Sequence, residues 1–147
     1  MSREYPARPI VGIGVAILRP ASAVPEVLLV RRGKPPNLGS WALPGGAQEL
    51  GETAADAARR EILEECGLRL GEIHLAANVD SIHRDPDGRV RYHYTIIDFA
   101  GLWQGDAAVA GDDVSELLWA PVDALGGYGL WTEAHRVIDI ARRLLGV

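Results

Sequence analysis

The sequence predicts an α/β domain of mixed strands and two principal helices. Three observations predict it. Residues 10–18 (IVGIGVAIL) and 26–31 (EVLLVR) are short apolar runs rich in branched side chains. Residues 90–99 (VRYHYTIIDF) alternate as a half-buried strand does. Residues 53–66 and 131–145 carry apolar side chains at helical spacing.

The elements follow in order. Residues 1–8 are polar, hold two prolines and are expected to form an arm or edge extension before the domain at 9–147. Residues 10–18 and 26–31 make a hairpin across a turn of small residues. Residues 32–40 are a loop marked by Gly33, Pro35, Pro36 and Gly39. Trp41 to Pro44 reads as a brief strand, and the pair Gly45–Gly46 as a turn into a loop. Thr53 caps a helix that Gly67 ends. Residues 70–81 are extended, Asp85–Pro86–Asp87–Gly88 is a turn, and residues 90–99 return as a strand, so the two make a long hairpin. Residues 101–113 read as an acidic loop and 114–120 (VSELLWA) as a short strand. One helical turn is expected at 121–125 and a loop at 127–130. The closing helix has Ala134, Val137, Ile138, Ala141 and Leu144 as its stripe.

The chain has 147 residues, of which 48% are hydrophobic, enough for one domain with a sizeable core. A formal net charge of -5 argues against a general nucleic-acid-binding surface, and no stable nucleic-acid partner is expected. A single cysteine excludes an intrachain disulfide and a cysteine metal site. Cys66 lies on the apolar side of its helix and reads as core. No signal-peptide pattern and no membrane-length apolar run are present, so a cytoplasmic address is the expectation.

The chemistry concentrates in residues 45–68, GGAQELGETAADAARREILEECGL. Helical steps of about 100° put Ala55, Ala58, Ile62 and Cys66 on one side. Glu61, Glu64 and Glu65 fall on the neighbouring side, three and four residues apart. Arg60 points away from them. Three ionised carboxylates so close repel one another, and a divalent cation reverses that repulsion. Hard oxygen donors suit Mg2+, or Mn2+. The competing reading is a solvated acidic helix face, which the glycine-rich approach and the spacing disfavour.

The segment resembles the Nudix box, G-x5-E-x7-R-E-U-x-E-E-x-G-U, where U is bulky and apolar. Gly46, Glu52, Arg60, Glu61, Ile62, Glu64, Glu65, Gly67 and Leu68 fill all its specified positions. The preceding GSWALPGG also looks like the family's approach to the box. The resemblance implies an α/β/α sandwich with a mixed sheet, the box helix on one side and the C-terminal helix on the other. It implies metal-dependent hydrolysis of a nucleoside diphosphate linked to another moiety. Glu64 and Glu65, Glu61 and the backbone carbonyl of Gly45 are the implied metal ligands. Glu52 supports the loop through Arg60 or through another contact behind the ligands, and Arg60 orients rather than touching phosphate.

The box leaves the general base open between Glu61 and an acid of a later loop. Asp113 leads there, with Asp112 and Glu116 as alternatives. Arg31, Arg32 and Lys34 are the local phosphate contacts or simply solvated cations. Trp41 is packing or a substrate wall. Tyr92 and Tyr94 share one strand face and His93 the other, and Tyr92 is a nucleotide-stacking candidate against an ordinary strand role. The resemblance is greatest to ADP-ribose pyrophosphatase-type members, which implies ADP-ribose cleaved to AMP and ribose 5-phosphate. The alternatives are a nucleoside-triphosphate pyrophosphohydrolase, broader sugar-nucleotide or dinucleotide cleavage, and a non-enzymatic nucleotide sensor. A homodimer is expected, its pocket shared through the N-terminal arm or the 84–94 hairpin.

Overall fold

The computed structural model describes residues 3–34 and 37–147. The expectations for Pro35 and Pro36, and for the first two residues of the arm, lie outside the described residues. Seven strands form one sheet: β1 (Ile10–Arg19), β2 (Glu26–Arg32), β3 (Trp41–Ala42), β4 (Gly45–Ala47), β5 (Ile73–Arg84), β6 (Val90–Leu102) and β7 (Val114–Pro121). The helices are α1 (Ala54–Cys66) and α2 (Thr132–Leu145).

β1 is the central strand. β6 runs parallel to it from Ile10↔Tyr94 to Leu18↔Leu102. Its other edge is divided: β4 pairs with Gly12 to Gly14, and β2 with Leu18 and Arg19, both antiparallel. β7 runs along the far edge of β2, β3 pairs with Val30 and Arg31 on the edge that β2 shares with β1, and β5 closes the opposite side of the sheet against β6.

Why β1 reads as an unbroken apolar run follows from its two faces. Ile13, Val15 and Ile17 pack with Ala57, Ala58, Ile62 and Cys66 of α1. Ala16 and Leu18 pack with Val137, Ile138 and Ala141 of α2. β2 divides in the same way, Leu28 and Val30 toward α1, Val27 and Leu29 toward α2. A strand covered on both faces needs apolar residues at every position. The expected α/β/α sandwich with a mixed sheet is what forms.

Both ends of α1 are built as expected. Thr53 Oγ1 accepts from the Asp56 N–H at 3.0 Å, and Gly67 closes the helix at φ 65°, a left-handed conformation natural to glycine. Ala57 joins the stripe predicted for this helix.

Several boundaries differ from expectation. Gly45–Gly46 belongs to a strand rather than a turn, because these glycines let β4 press against β1; a Cβ at Gly45 would strike the Ile13 carbonyl. β6 continues through Gly101 and Leu102, held by β1, where a loop was expected. Residues 121–125 make a turn closed by Ala124 N–H to the Pro121 carbonyl, and the 3-10 helix falls later, at Gly126–Tyr128. Leu144 is 48% exposed, and Leu145 packs against the α2-side core in its stead. The arm folds onto its own chain's hairpin: Tyr5 donates its N–H to the Arg91 carbonyl and its hydroxyl to Asp85, while Glu4 pairs with Arg91 at 3.0 Å. Among the described residues no helix is long and apolar enough to cross a membrane.

Ile62 is fully buried, whereas Leu63, its neighbour, is 44% exposed. Ile62→Ala is therefore expected to lower unfolding stability by about 2–5 kcal/mol, and Leu63→Ala by about 0.5 kcal/mol or less. Urea midpoints of the two variants check this; equal shifts would mean that α1 does not dock through Ile62.

Candidate active site

α1 turns Ile62 and Cys66 into the core, and this fixes where its carboxylates go. Glu61 and Glu65 are four residues apart and rise together toward β4. Glu65 Oε2 accepts from the Gly45 N–H at 3.3 Å. The Glu61 carboxyl lies under Gly46 so closely that a Cβ there would collide with it. The glycine pair thus does two jobs: Gly45 permits the approach of β4 to β1, and Gly46 leaves room for Glu61.

Arg60 braces the cluster. Its Nε and Nη2 clasp both oxygens of Glu52, at 2.7 and 2.9 Å. Nη2 also donates to the Ala47 carbonyl at 3.0 Å. Nη1 donates to Glu61 Oε1 at 2.9 Å and to Glu64 Oε2 at 3.3 Å, with Glu49 3.7 Å away. The Arg60–Glu52 contact expected from the resemblance is present. The expectation that Arg60 diverges from the carboxylates is corrected: its Cα lies off their face, but a long side chain on the first turn below them folds back over Glu61 and Glu64. Glu52 in turn receives the Glu49 N–H at 2.9 Å, so the loop from β4 to α1 is tied to the helix at both ends.

These contacts set the electrostatics. Paired hydrogen bonds from Arg60 hold the Glu52 carboxyl below the usual range, and the same bonds raise the guanidinium's own pKa. Burial pushes Glu61 up, against the opposing pull of Arg60. Glu65 is pushed up to about 7, chiefly by burial, with the Gly45 N–H opposing and the charge of Glu61 adding. Burial likewise lifts the Cys66 thiol to about 12, which leaves it an inert core side chain.

A second loop completes the surroundings. Val109 and Gly111 donate their N–H groups to the carbonyls of Cys66 and Glu65, both at 2.8 Å. The last carbonyls of a helix lack internal partners, and this loop supplies them. A Cβ at Gly111 would strike the Glu64 carbonyl, so a glycine sets how close the loop comes. It delivers Asp112 and Asp113 beside the end of α1, and the charge of Asp113 reaches Glu65. Asp113 itself pairs with Lys34 at 2.6 Å.

The remaining sequence candidates disperse. Arg31 donates to the Gly39 carbonyl at 2.9 Å and to Glu116 at 3.0 Å, so both Arg31 and Glu116 are engaged in local structure. Arg32 lies close enough for its charge to act on Glu65. Trp41 meets Tyr128 edge-on at 5.9 Å on the α2 side of the sheet. Tyr92 stands opposite His83 near the hairpin tip, their rings 6.4 Å apart. Sequence reasoning missed the docking of Gly111, for which a glycine in an acidic loop is no signal. It also passed over Asp98, whose signal was there: a lone acid inside the apolar half of an alternating strand.

The donor set suits a hard divalent cation: Glu61, Glu64, Glu65 and the Gly45 carbonyl are all oxygen ligands. The half-buried Glu65 carboxylate, whose hydrogen bond is a single one at 3.3 Å, is the group most in need of a positive charge. The expected convergence of all three glutamates on Gly45 is only partial. Glu64 is 60% exposed and turned to Arg60, and no three acidic, histidine or cysteine side chains gather into a cation cage among the described residues.

Known proteins resemble this chain in sequence and fold. The chain is 42% identical to an ADP-ribose pyrophosphatase of Methanocaldococcus jannaschii over 91 residues, 62% of this chain and 52% of that protein. It is 34% identical to a putative 8-oxo-dGTP diphosphatase of Bacillus subtilis over 94 residues, 64% of this chain and 56% of that one. The chain thus spans little more than half the length of either relative. In fold it is similar to the NUDIX domain of Shewanella oneidensis NrtR, solved with ADP ribose, at a TM-score of 0.78 and 23% identity, covering 94% of this chain and 89% of that one. Residues 8–142 match the family model of the NUDIX domain, a span that takes in the whole carboxylate cluster and both core faces, and the chain belongs to the Nudix family.

Proposed function

We propose that this chain is a metal-dependent pyrophosphohydrolase that cleaves ADP-ribose to AMP and ribose 5-phosphate. The observation that carries the hydrolase reading is the placement of Glu61 and Glu65 against the Gly45–Gly46 strand, with Arg60 bracing Glu61 from behind. The likeness to the archaeal ADP-ribose pyrophosphatase supports the substrate. The likeness to the Bacillus protein favours a second reading, hydrolysis of a nucleoside triphosphate to monophosphate and pyrophosphate.

Nudix hydrolases use divalent cations, and a bound Mg2+ or Mn2+ supplies neutralisation of phosphoryl oxygens and a more acidic water. Glu64, Glu65, Glu61 and the Gly45 carbonyl would hold it. Arg60 takes Oε1 of Glu61 and leaves Oε2 open, which orients that oxygen to accept a proton from the attacking water. Glu52 fixes Arg60 and so fixes Glu61 at one remove. Asp113 is the alternative proton acceptor, and it serves only when released from Lys34. In the overall reaction the water oxygen bonds to one phosphorus, the bridging P–O bond breaks, and the water's protons leave to the base and solvent. Arg32, whose charge reaches Glu65, is the arginine of the pair that we assign to a phosphate.

Incubation with ADP-ribose and Mg2+, followed by product analysis, is expected to show AMP and ribose 5-phosphate. Efficient triphosphate hydrolysis with no ADP-ribose turnover would reject the substrate in favour of the second reading. Glu64→Gln and Glu65→Gln are each expected to lower kcat/KM on the order of 100-fold or more, and Arg60→Lys, which loses the bidentate grip, roughly 10–100-fold. Steady-state rates across full metal titrations, with circular dichroism as the folding check, decide this; near-normal rates in the glutamine variants would sink the cluster's role. Asp113→Asn is expected to leave a near-normal rate if Glu61 is the base.

The raised pKa of Glu65 also fixes a sign. The folded protein holds this proton more tightly than the unfolded chain does, so Glu65 ionisation destabilises the metal-free fold as pH rises from about 4.5 to about 7. In EDTA, the Tm of Glu65→Gln relative to the parent chain is expected to be higher at pH 8 than at pH 5. A difference independent of pH would show that Glu65 ionises normally.

A further inference from the structure

Asp98 has no part in the cluster on α1, yet it is only 5% exposed. It sits in β6 between Gly14 of β1 and Ala77 of β5, on the face that packs against α2. Its same-face neighbours Ile96 and Ala100 belong to the apolar core there. Its carboxyl makes no hydrogen bond or ion pair with any described residue. No fully buried side-chain polar atom among the described residues lacks a partner. The Asp98 oxygens therefore still touch solvent.

The surroundings are shaped for it. A Cβ at Gly14 would strike Asp98 Oδ1, so that glycine clears the space the carboxyl occupies. Burial pushes its pKa up to about 6, with Arg136 of α2 opposing and Glu133 adding. A carboxylate buried without a partner is costly, and packing alone would place an aliphatic side chain here. The same Gly14 is the register partner of Gly45, whose N–H meets Glu65. Asp98 and Gly45 thus flank β1 at one level, about 9–10 Å apart by two strand spacings, on the scale of a nucleoside. Four positions back along β6, beyond Ile96, Tyr94 lies on the same face, its ring 3.7 Å from where a Cβ at Gly12 would sit.

We propose that Asp98 is a specificity-determining residue that accepts a hydrogen bond from the amino group of the substrate's base, with Gly14 giving clearance. This rests on the reading of the chain as a nucleotide hydrolase and adds which base it selects. A 6-aminopurine presents an N–H donor to the carboxylate; hypoxanthine presents a carbonyl oxygen at the same place, and two acceptors repel. A site built to bond a donor rejects the analogue lacking it, because its own polar group is left unpaired.

The test uses substrate pairs that differ only in that group: ADP-ribose with its inosine counterpart, and ATP with ITP, each with the full chain and Mg2+. The parent chain is expected to favour the amino base by about tenfold or more in kcat/KM. Asp98→Asn keeps the shape but can turn a donor to the base, and is expected to bring that ratio to near one or below, with Tm unchanged or higher. Gly14→Ala, which displaces the carboxyl while keeping it, is expected to lower the ratio in the same direction. If only the ATP pair is hydrolysed and its ratio depends on Asp98, the ADP-ribose reading falls and this proposal stands. If neither pair turns over, calorimetric affinities for AMP and IMP supply the ratio. A parent ratio near one, a ratio unchanged in Asp98→Asn, or equal losses on both bases with a lowered Tm overturns the proposal; the last would make Asp98 a structural charge under α2.

Discussion

The clasp between Arg60 and Glu52 is the contact on which the site depends. Six acidic side chains crowd the stretch from Glu49 to Glu65, and one guanidinium answers four of them. Its fork fits a carboxylate only in a fixed plane, so the bidentate grip on Glu52 orients the remaining N–H groups toward Glu61 and Glu64. A lysine here would neutralise charge without imposing direction. Because Glu52 is tied to the Glu49 N–H and Arg60 to the Ala47 carbonyl, the clasp joins the end of β4, the loop and α1 into one unit.

That unit works only because backbones come unusually close around it. Gly45 against Ile13, Gly46 over Glu61 and Gly111 against the Glu64 carbonyl are three separate approaches, each of which a methyl group would block. Together they place α1 between β4 and the loop after β6. The helix cannot retreat from either, since Ile62 and Cys66 are fixed in the core on its other side. Precision at the carboxylates therefore comes from packing and clearance more than from any bond the glutamates make. Glu64, which lacks such a constraint, is the one that strays into solvent.

Much of this was legible in the sequence, and the reasons are local. Thr53, Gly67 and the spacing of Ala58, Ile62 and Cys66 act within a single helix, so they declare its ends and buried face without reference to anything distant. The Glu52–Arg60 contact was foreseeable from the box that the sequence resembles. What was not legible is tertiary. Helical spacing gives the direction of a Cα–Cβ bond, and Arg60 has a side chain long enough to contradict it. Gly45–Gly46 has the composition of a turn, and only the presence of β1 beside it makes it a strand. Residues 101–113 look like a loop, but β1 lends Gly101 and Leu102 a parallel partner that no local pattern announces. Arg31 and Glu116 are single charges in the sequence and a pair only across β2 and β7.

β1 shows how one strand serves both halves of the molecule. Its odd positions build the core under α1, and its even positions, from Ala16 onward, the core under α2. At Gly12 and Gly14 the even face loses its side chains; the neighbouring strand lays Ile96 and Tyr94 over the first, but over Gly14 it places Asp98 instead of more aliphatic packing. A pure stability argument predicts the opposite, since a valine at Gly14 and a leucine at Asp98 would extend the α2-side core. The sheet thus gives up apolar packing at the level where β4 brings Gly45 alongside, on the strand that separates the carboxylate cluster from the buried acid. Clearance and charge meet on one face of β1 at a single residue, Gly14.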